Sequence, residues 1–470
     1  MFGLDTAHAL MLILLLFATV AFEFINGFHD TANAVATVIY TNAMKPKVAV
    51  LWAGFWNFLG VYVGGIAVAM GIMHLIPTEM LADQNIYYAM ALIGAILITA
   101  IGWNFLTWYL GIPASSSHTL IGSMFGVGLA YMLLHPESGV DLNWQKIIDI
   151  ALALFITPIL GFVLALLLMF ILFKVVKKKK IFKEPKEKKA PPFWIRSILI
   201  LTSTTVSFSH GSNDGQKGVG IMMLVLIAMA PTFFALDNSK DPRDLMVSMG
   251  RIAQVVSRVD ASQLSAGDRA ALSAATMQMA TISSEVKAAN HFNELSRGKA
   301  AEIRNDLQVT IKSLKKLKSD NHAAFKQHNS RVDLHRFDRE ISNLTGYIDY
   351  APTWVILLIS LALGLGTMVG WKRIVVTISE KIGKTQMTYA QGVTSGVIAS
   401  STIGLSSVLG LPVSTTHILS SGVAGSMVAS GGIRNLQTKT LTSIAIAWVV
   451  TLPVTILVAG LLYWLFVSLI

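Results

Sequence analysis

The 470-residue chain has no cysteine, which excludes disulfides, thiolate metal sites and cysteine nucleophiles. It is also short of charge. Asp, Glu, Lys and Arg make up 13% of residues, against roughly 25% in a soluble globular protein. The first apolar run, residues 10–25, lacks a basic start and a small-residue cleavage site, so it reads as a retained helix and not as a signal peptide. The net charge of +11 is no nucleic-acid signature, because much of the basic excess sits in short segments beside apolar runs.

Apolar sequence is what the chain has in abundance. Hydrophobic residues reach 53% and mean hydropathy is +0.61. Many runs approach the roughly 20 residues that span a bilayer, so the expected class is an all-α polytopic membrane protein. Spans are expected near residues 8–40, 48–75, 87–110, 116–134 and 147–173, then 194–231, 354–369, 390–409, 414–429 and 441–466. Basic loops at Lys45 to Lys47, Lys174 to Lys189 and Trp371 to Lys384 are expected inside, and acidic loops at Glu79 and Glu137 outside. Ten spans with both ends outside satisfy these signals. Residues 235–350 are polar, with helical spacing at Leu307, Ile311, Leu314 and Leu317, and read as a small soluble helical bundle on the outer side.

The chain contains itself twice. Asn26-Gly-Phe-His-Asp-Thr-Ala-Asn-Ala34 is echoed by His210-Gly-Ser-Asn-Asp-Gly-Gln-Lys-Gly218, and Gly111-Ile-Pro-Ala-Ser-Ser-Ser-His-Thr119 by Gly410-Leu-Pro-Val-Ser-Thr-Thr-His-Ile418. The Asp30 to Asp214 separation is 184 residues and the His118 to His417 separation is 299. The excess of 115 is about the length of the polar segment. A repeat with five crossings, copied once, enters the membrane inverted. The domains expected are a first membrane repeat (1–173), a lysine-rich cytoplasmic linker (174–193), and a second repeat (194–234 and 351–470) interrupted by the insert (235–350).

Inverted repeats with paired broken or re-entrant helices are the layout of secondary transporters. Ser115 to Ser117 and Ser414 to Thr416 each open a helix after a proline, and hydroxyls with free backbone N–H groups at a helix start suit an anion. Two such starts enclose one tetrahedral oxyanion. The plainer reading is that these residues cap helices or hold helices together. Asp30 and Asp214, charges in apolar surroundings, are candidates to bind a coupling cation or carry a proton, or to form an interhelical salt bridge with Lys217 or His29. His118 and His417 are candidates to shuttle protons, or simply to bond a loop carbonyl. Glu23 is a weaker candidate, and Trp52, Trp56, Trp103 and Trp108 fit packing or interface anchoring.

On Gly27 to Ala34, Pro113 to His118, His210 to Gly220 and Pro412 to His417, the chain resembles the PiT family of inorganic phosphate transporters, of the bacterial low-affinity type. The resemblance implies phosphate import with H⁺ or Na⁺, by an elevator-like or rocking movement, in a homodimer in a bacterial inner membrane. It implies phosphate at Ser115, Ser116, Ser117, Ser414, Thr415 and Thr416, and cation coupling at Asp30, Asn33, Asn213 and Asp214. Similar members are thought to move a neutral complex of phosphate with Mg²⁺ or another divalent metal. The sodium-coupled pattern has an Asn before each Asp and another three residues after it. Here His29 replaces the leading Asn of the first copy and Lys217 the trailing Asn of the second. A fixed ammonium and a titratable imidazole favour H⁺ over Na⁺.

Rival readings are a sodium-coupled carrier, a carrier of sulfate or arsenate, an intramembrane hydrolase using Ser115 to Ser117 with His118, and a phosphate receptor signalling through the insert. Duplication argues against the hydrolase, since one nucleophile suffices. No covalent cofactor is expected.

Overall fold

The computed structural model describes residues 2–81, 86–138, 141–142, 144–185, 189–370, 375 and 382–470. No β-strand occurs among them, only an isolated bridge between Gly383 and Leu436. The basic cluster at Trp371 to Arg373 lies outside the described residues, as does Asp83 of the first acidic loop.

Helix α1 (Thr6–Tyr40) runs 35 residues. Helices α2 (Pro46–Val63) and α3 (Ala67–Met73) follow, bent by 72° at Gly65, whose φ of +82° no other residue type adopts readily. Then come α4 (Ile86–Tyr109), α5 (Ser116–Leu134) and α6 (Trp144–Val175). In the second half, α7 (Phe193–His210) passes through one π-helical turn (Gly211–Gly215) into α8 (Gln216–Met229). After the polar insert the chain resumes with α13 (Thr353–Thr367), α14 (Tyr389–Val408), α15 (Thr415–Gly431) and α16 (Thr438–Ser468). The insert's own helices are α9 (Pro242–Val256), α10 (Ala266–Val286), α11 (Arg297–Asp320) and α12 (Arg331–Ile348).

Among the described residues, α1, α4, α5, α6 and α16 are long and apolar enough to cross a bilayer alone, and α2 with α3 reaches that length and hydropathy only as a bent pair. Helices α7, α14 and α15 have 18, 20 and 17 residues. Their Ser and Thr lower hydropathy, and much of that polar surface is buried (Thr202, Ser203, Ser207, Thr394, Ser395, Ser420 and Ser426). Phe155 and Ile159 of α6, and Leu457 and Leu461 of α16, point outward as lipid-facing side chains do.

Within the membrane unit (Ile13–Pro77, Met90–Leu224 and Ala351–Ile470) the two repeats exchange partners. Helix α5 of the first packs on α16 of the second, and α15 of the second packs on α6 of the first. Gly126 and Gly425, each eight residues past a motif histidine, make the crossings close: a Cβ on either would strike the carbonyl oxygen of Ile456 or Phe162. Small residues of this kind let membrane helices approach and gain dispersion contacts where no hydrophobic force operates.

The second compact unit comprises Met1–Leu12, Thr78–Ala89 and Val225–Tyr350. Phe2 joins it by packing its ring against Phe233 and Phe234, at 5.3 and 5.2 Å. Helices α9 and α12 are amphipathic, and with α10 and α11 they close over Leu245, Met249, Ile282, Leu307, Leu314 and Leu344. Asp241, Ser265, Ser296 and Ser330 each cap a helix with a side-chain oxygen. Buried Arg304 donates to the carbonyls of Ala235 and Ile348, both at 2.7 Å, and so pins the two ends of the insert together.

Candidate functional site

The four duplicated motifs meet at one buried point, by different local routes. The polar stretch around Asp30 does not interrupt its helix: α1 continues through it, and Thr31 returns its hydroxyl to the carbonyls of Gly27 and Thr367. The second copy is irregular, since Gly211–Gly215 form a π-helical turn. Such turns insert a residue and re-aim side chains, often at functional sites. The two hydroxyl loops are alike. Gly111 and Gly410 both have φ of +66°, a proline stands two residues on, and Ser115 and Ser414 then cap α5 and α15 by accepting from the backbone N–H of His118 and His417, both at 3.2 Å.

The next two hydroxyls of each loop face the ionic side chains. Ser116 donates to Asp30 Oδ2 at 3.3 Å and Thr415 to Asp214 Oδ2 at 3.3 Å, each within its own repeat. Across the repeats, Thr416 donates to Asp30 Oδ1 at 2.8 Å and accepts from Asn33 Nδ2 at 3.0 Å. Ser117 accepts from Lys217 Nζ at 2.9 Å and donates to the Val413 carbonyl at 2.7 Å. Lys217 also lies 2.9 Å from Asp214 Oδ2. All of these side chains are buried. Asp30 Oδ1 further meets His29 Nδ1 at 3.0 Å, and His29 Nε2 meets Thr107 Oγ1 at 3.2 Å.

The two loop histidines pack against each other. His118 and His417 lie ring against ring at 4.7 Å, and His417 stacks on Trp448 at 3.9 Å. His118 Nδ1 and His417 Nε2 make no hydrogen bond within the protein. Asn213 supports the second loop: it accepts from Val413 N at 3.2 Å and donates to Leu411 O at 3.1 Å. Glu23 is buried, accepts from Asn26 at 3.1 Å, and packs where Gly218 leaves room for it.

Sequence reasoning missed His210 and Asn57. His210 Nε2 lies 3.7 Å from Asp30 Oδ2 and 3.4 Å from Asp214 Oδ2, between the two acids. Its Nδ1 is 3.1 Å from Asn57 Oδ1. The signals were present: His210 sits one turn before Asp214, and Asn57 is a lone amide in the apolar run of α2. The ligand atoms of Asp30, His210 and Asp214 lie within 4.8 Å of one another, so one positive charge there is shared between both acids.

A family model described as "Phosphate transporter family" matches residues 26–459. The chain belongs to the phosphate transporter family. The low-affinity inorganic phosphate transporter PitA of Escherichia coli (strain K12) is 42% identical over 98% of each chain. PitB of the same strain is 42% identical over 100% of this chain and 99% of its own length. A probable low-affinity inorganic phosphate transporter of Bacillus subtilis (strain 168) is 27% identical over 97% of each. A solved structure described as "The sodium-dependent phosphate transporter" shares the fold, with a TM-score of 0.53 and 21% identity over 98% of this chain and 99% of that one. These relatives are named as transporters and not as enzymes, which disposes of the serine-hydrolase reading.

Proposed function

We propose that this chain imports inorganic phosphate by proton symport and alternating access, in a bacterial inner membrane. One observation carries the reading: hydroxyls from opposite repeats, Ser117 and Thr416, face the ionic groups of the other repeat. A tetrahedral oxyanion entering between the loops exchanges those side-chain bonds for bonds to itself. The same hydroxyls then bind the anion in the loaded carrier and hold the repeats together in its absence, as a site between rocking halves requires. The names of the relatives give the anion as inorganic phosphate.

Proton coupling rests on Lys217 and His29. The Lys217 ammonium supplies a fixed positive charge beside Asp214, at 2.9 Å, where the sodium-coupled pattern has a neutral amide. His29 gives Asp30 a titratable neighbour at 3.0 Å. Two acids repel a bare dianion, so phosphate travels more readily as a neutral complex with Mg²⁺ or another divalent metal. The insert lies on the outer side, and the carrier works as a homodimer.

Purified protein in sealed proteoliposomes tests this. Radiolabelled phosphate uptake is expected with an imposed pH gradient and not with a sodium gradient alone. Uptake driven only by sodium overturns proton coupling. Competition by sulfate as strong as that by arsenate overturns phosphate selectivity. At matched expression, Asp30→Asn is expected to abolish uptake; wild-type rates would remove Asp30 from the mechanism.

A further inference from the structure

The hydrogen bonds behind His210 settle where its protons stand. Thr367 Oγ1 donates its one proton to the Leu363 carbonyl at 2.8 Å, so it can only accept from Asn57, whose Nδ2 lies 2.9 Å away. That fixes the amide orientation of Asn57. Its Oδ1 therefore faces His210, and His210 Nδ1, at 3.1 Å, must carry a hydrogen. The other nitrogen, Nε2, lies 3.4 Å from the carboxylate of Asp214 and 3.7 Å from that of Asp30. In a neutral ring of this tautomer, Nε2 presents a lone pair to two carboxylates. All four side chains are buried, so no bulk water screens that repulsion.

We propose that His210 is the seat of the transported proton, and that Asn57 is the positioning residue that aims it at Asp30 and Asp214. The relay from Leu363 through Thr367 and Asn57 allows His210 only one way to take up a proton, on Nε2, between the acids. The groups facing it are Asp30 with His29 from α1, Asp214 with Lys217 from the π turn and α8, and Asn57 from α2. Glu23 of α1 also lies within electrostatic reach. A proton taken up there, together with the Lys217 ammonium, balances the charge of the two acids as phosphate arrives, and its departure to the other side leaves one negative charge uncompensated. The inference rests on the proton-symport reading and gives that reading its residue.

The test is nitrogen NMR of protein carrying ¹⁵N-histidine in nanodiscs, with His210→Gln used to assign the His210 signals. At neutral pH both ring nitrogens of His210 are expected to be protonated. Asn57→Asp keeps an acceptor behind Nδ1 and is expected to preserve that state. Asn57→Leu is expected to release it, giving a singly protonated ring and a fall in pH-driven uptake at neutral pH of about tenfold, recovered as the outer pH is lowered by about one unit. An unprotonated Nε2 in the wild-type protein, or an Nε2 signal that moves to a metal-bound position on adding MgCl₂, overturns the proposal. A doubly protonated ring in Asn57→Leu overturns the positioning role. Should a pH gradient drive no uptake in the wild type, the symport reading falls and takes this inference with it. If it does drive uptake while Nε2 is unprotonated, only the inference falls.

Discussion

Asn33 and Lys217 occupy the same place in the two repeats and make the same contact: each stands three residues beyond its acid and donates to the third hydroxyl of the opposite loop, at 3.0 Å to Thr416 and 2.9 Å to Ser117. The two sites differ in where that hydroxyl sends its own proton. Thr416 has it free for Asp30, whereas Ser117 gives it to Val413 and leaves Asp214 to the ammonium. One substitution makes a two-fold symmetric site electrically lopsided.

Lys217→Asn restores the symmetry and is expected to change the coupling ion. Removing one member of a buried ion pair costs about 3–5 kcal/mol, so the variant should melt earlier in sodium-free buffer. Added sodium should recover part of that loss, and phosphate uptake should become sodium-stimulated. A variant with unchanged melting and unchanged proton-driven uptake would show that the ammonium is not what replaces a cation.

The hydroxyls should separate by role. Ser115→Ala and Ser414→Ala remove helix caps and are expected to cost about 1 kcal/mol of stability each, with KM for phosphate within about twofold of wild type. Ser117→Ala and Thr416→Val remove groups facing the ionic side chains and are expected to raise KM by about tenfold, the equivalent of one charge-assisted hydrogen bond. Uptake kinetics beside thermal melting distinguishes the pairs, and a cap variant with the larger KM effect would reverse the assignment.

Gly126→Ala and Gly425→Ala are expected to lose about 1–3 kcal/mol by overpacking, because the added methyl meets the Ile456 or Phe162 carbonyl. Yield of monodisperse protein after detergent extraction reports it. The matching control, Gly250→Ala in α9, has open space around the new methyl and should extract normally.

In the insert, Glu340 is buried and accepts from Arg251 at 2.8 Å, Ser248 at 2.9 Å and Asn343 at 3.0 Å. Burial pushes its carboxyl up, but these three donors outweigh burial and hold it below the ordinary value of 4.5. A folded value lower than the unfolded one means the stabilisation is full above about pH 4.5 and fades as the pH falls through the folded value. Hydrogen exchange of the α12 amides should therefore quicken, relative to its intrinsic rate, below that point. Glu340→Gln should remove the pH dependence and cost about 1–3 kcal/mol at neutral pH.

Much of this was legible from residues alone, because duplication is a pattern and a charge in an apolar run is conspicuous. The pairings Ser116 with Asp30 and Thr415 with Asp214 agree with motif symmetry. Less legible was the division of labour inside a loop. Ser115 and Ser117 have the same side chain and differ only in whether it points back at its own helix or out at Lys217, a matter of backbone angle after a proline. His210 was visible as a motif residue, yet its position between both acids depends on the π turn, and one added residue in a helix leaves no mark in periodicity. Nor does the sequence show that the stretch around Asp30 stays helical. Glycines and amides suit a break, but the helix continues, and Thr31 and Asn33 donate across it to the Thr367 carbonyl and to Thr416.

The exchange of partners between repeats bears on how the protein is made. Helix α5 finds its seat only when α16 exists, and Gly126 meets Ile456 some 330 residues later in the chain. At about 5–20 residues per second, the first repeat waits roughly 15–65 s in the bilayer with Ser116, Ser117 and Ser123 lacking their final surroundings. A nascent chain stalled before Thr438 is thus an inserted but incomplete object, whose small-residue stripe remains open to the membrane. Quality control that recognises unpaired polar helices has a long window on this protein during that interval, and α16 is the helix that closes it.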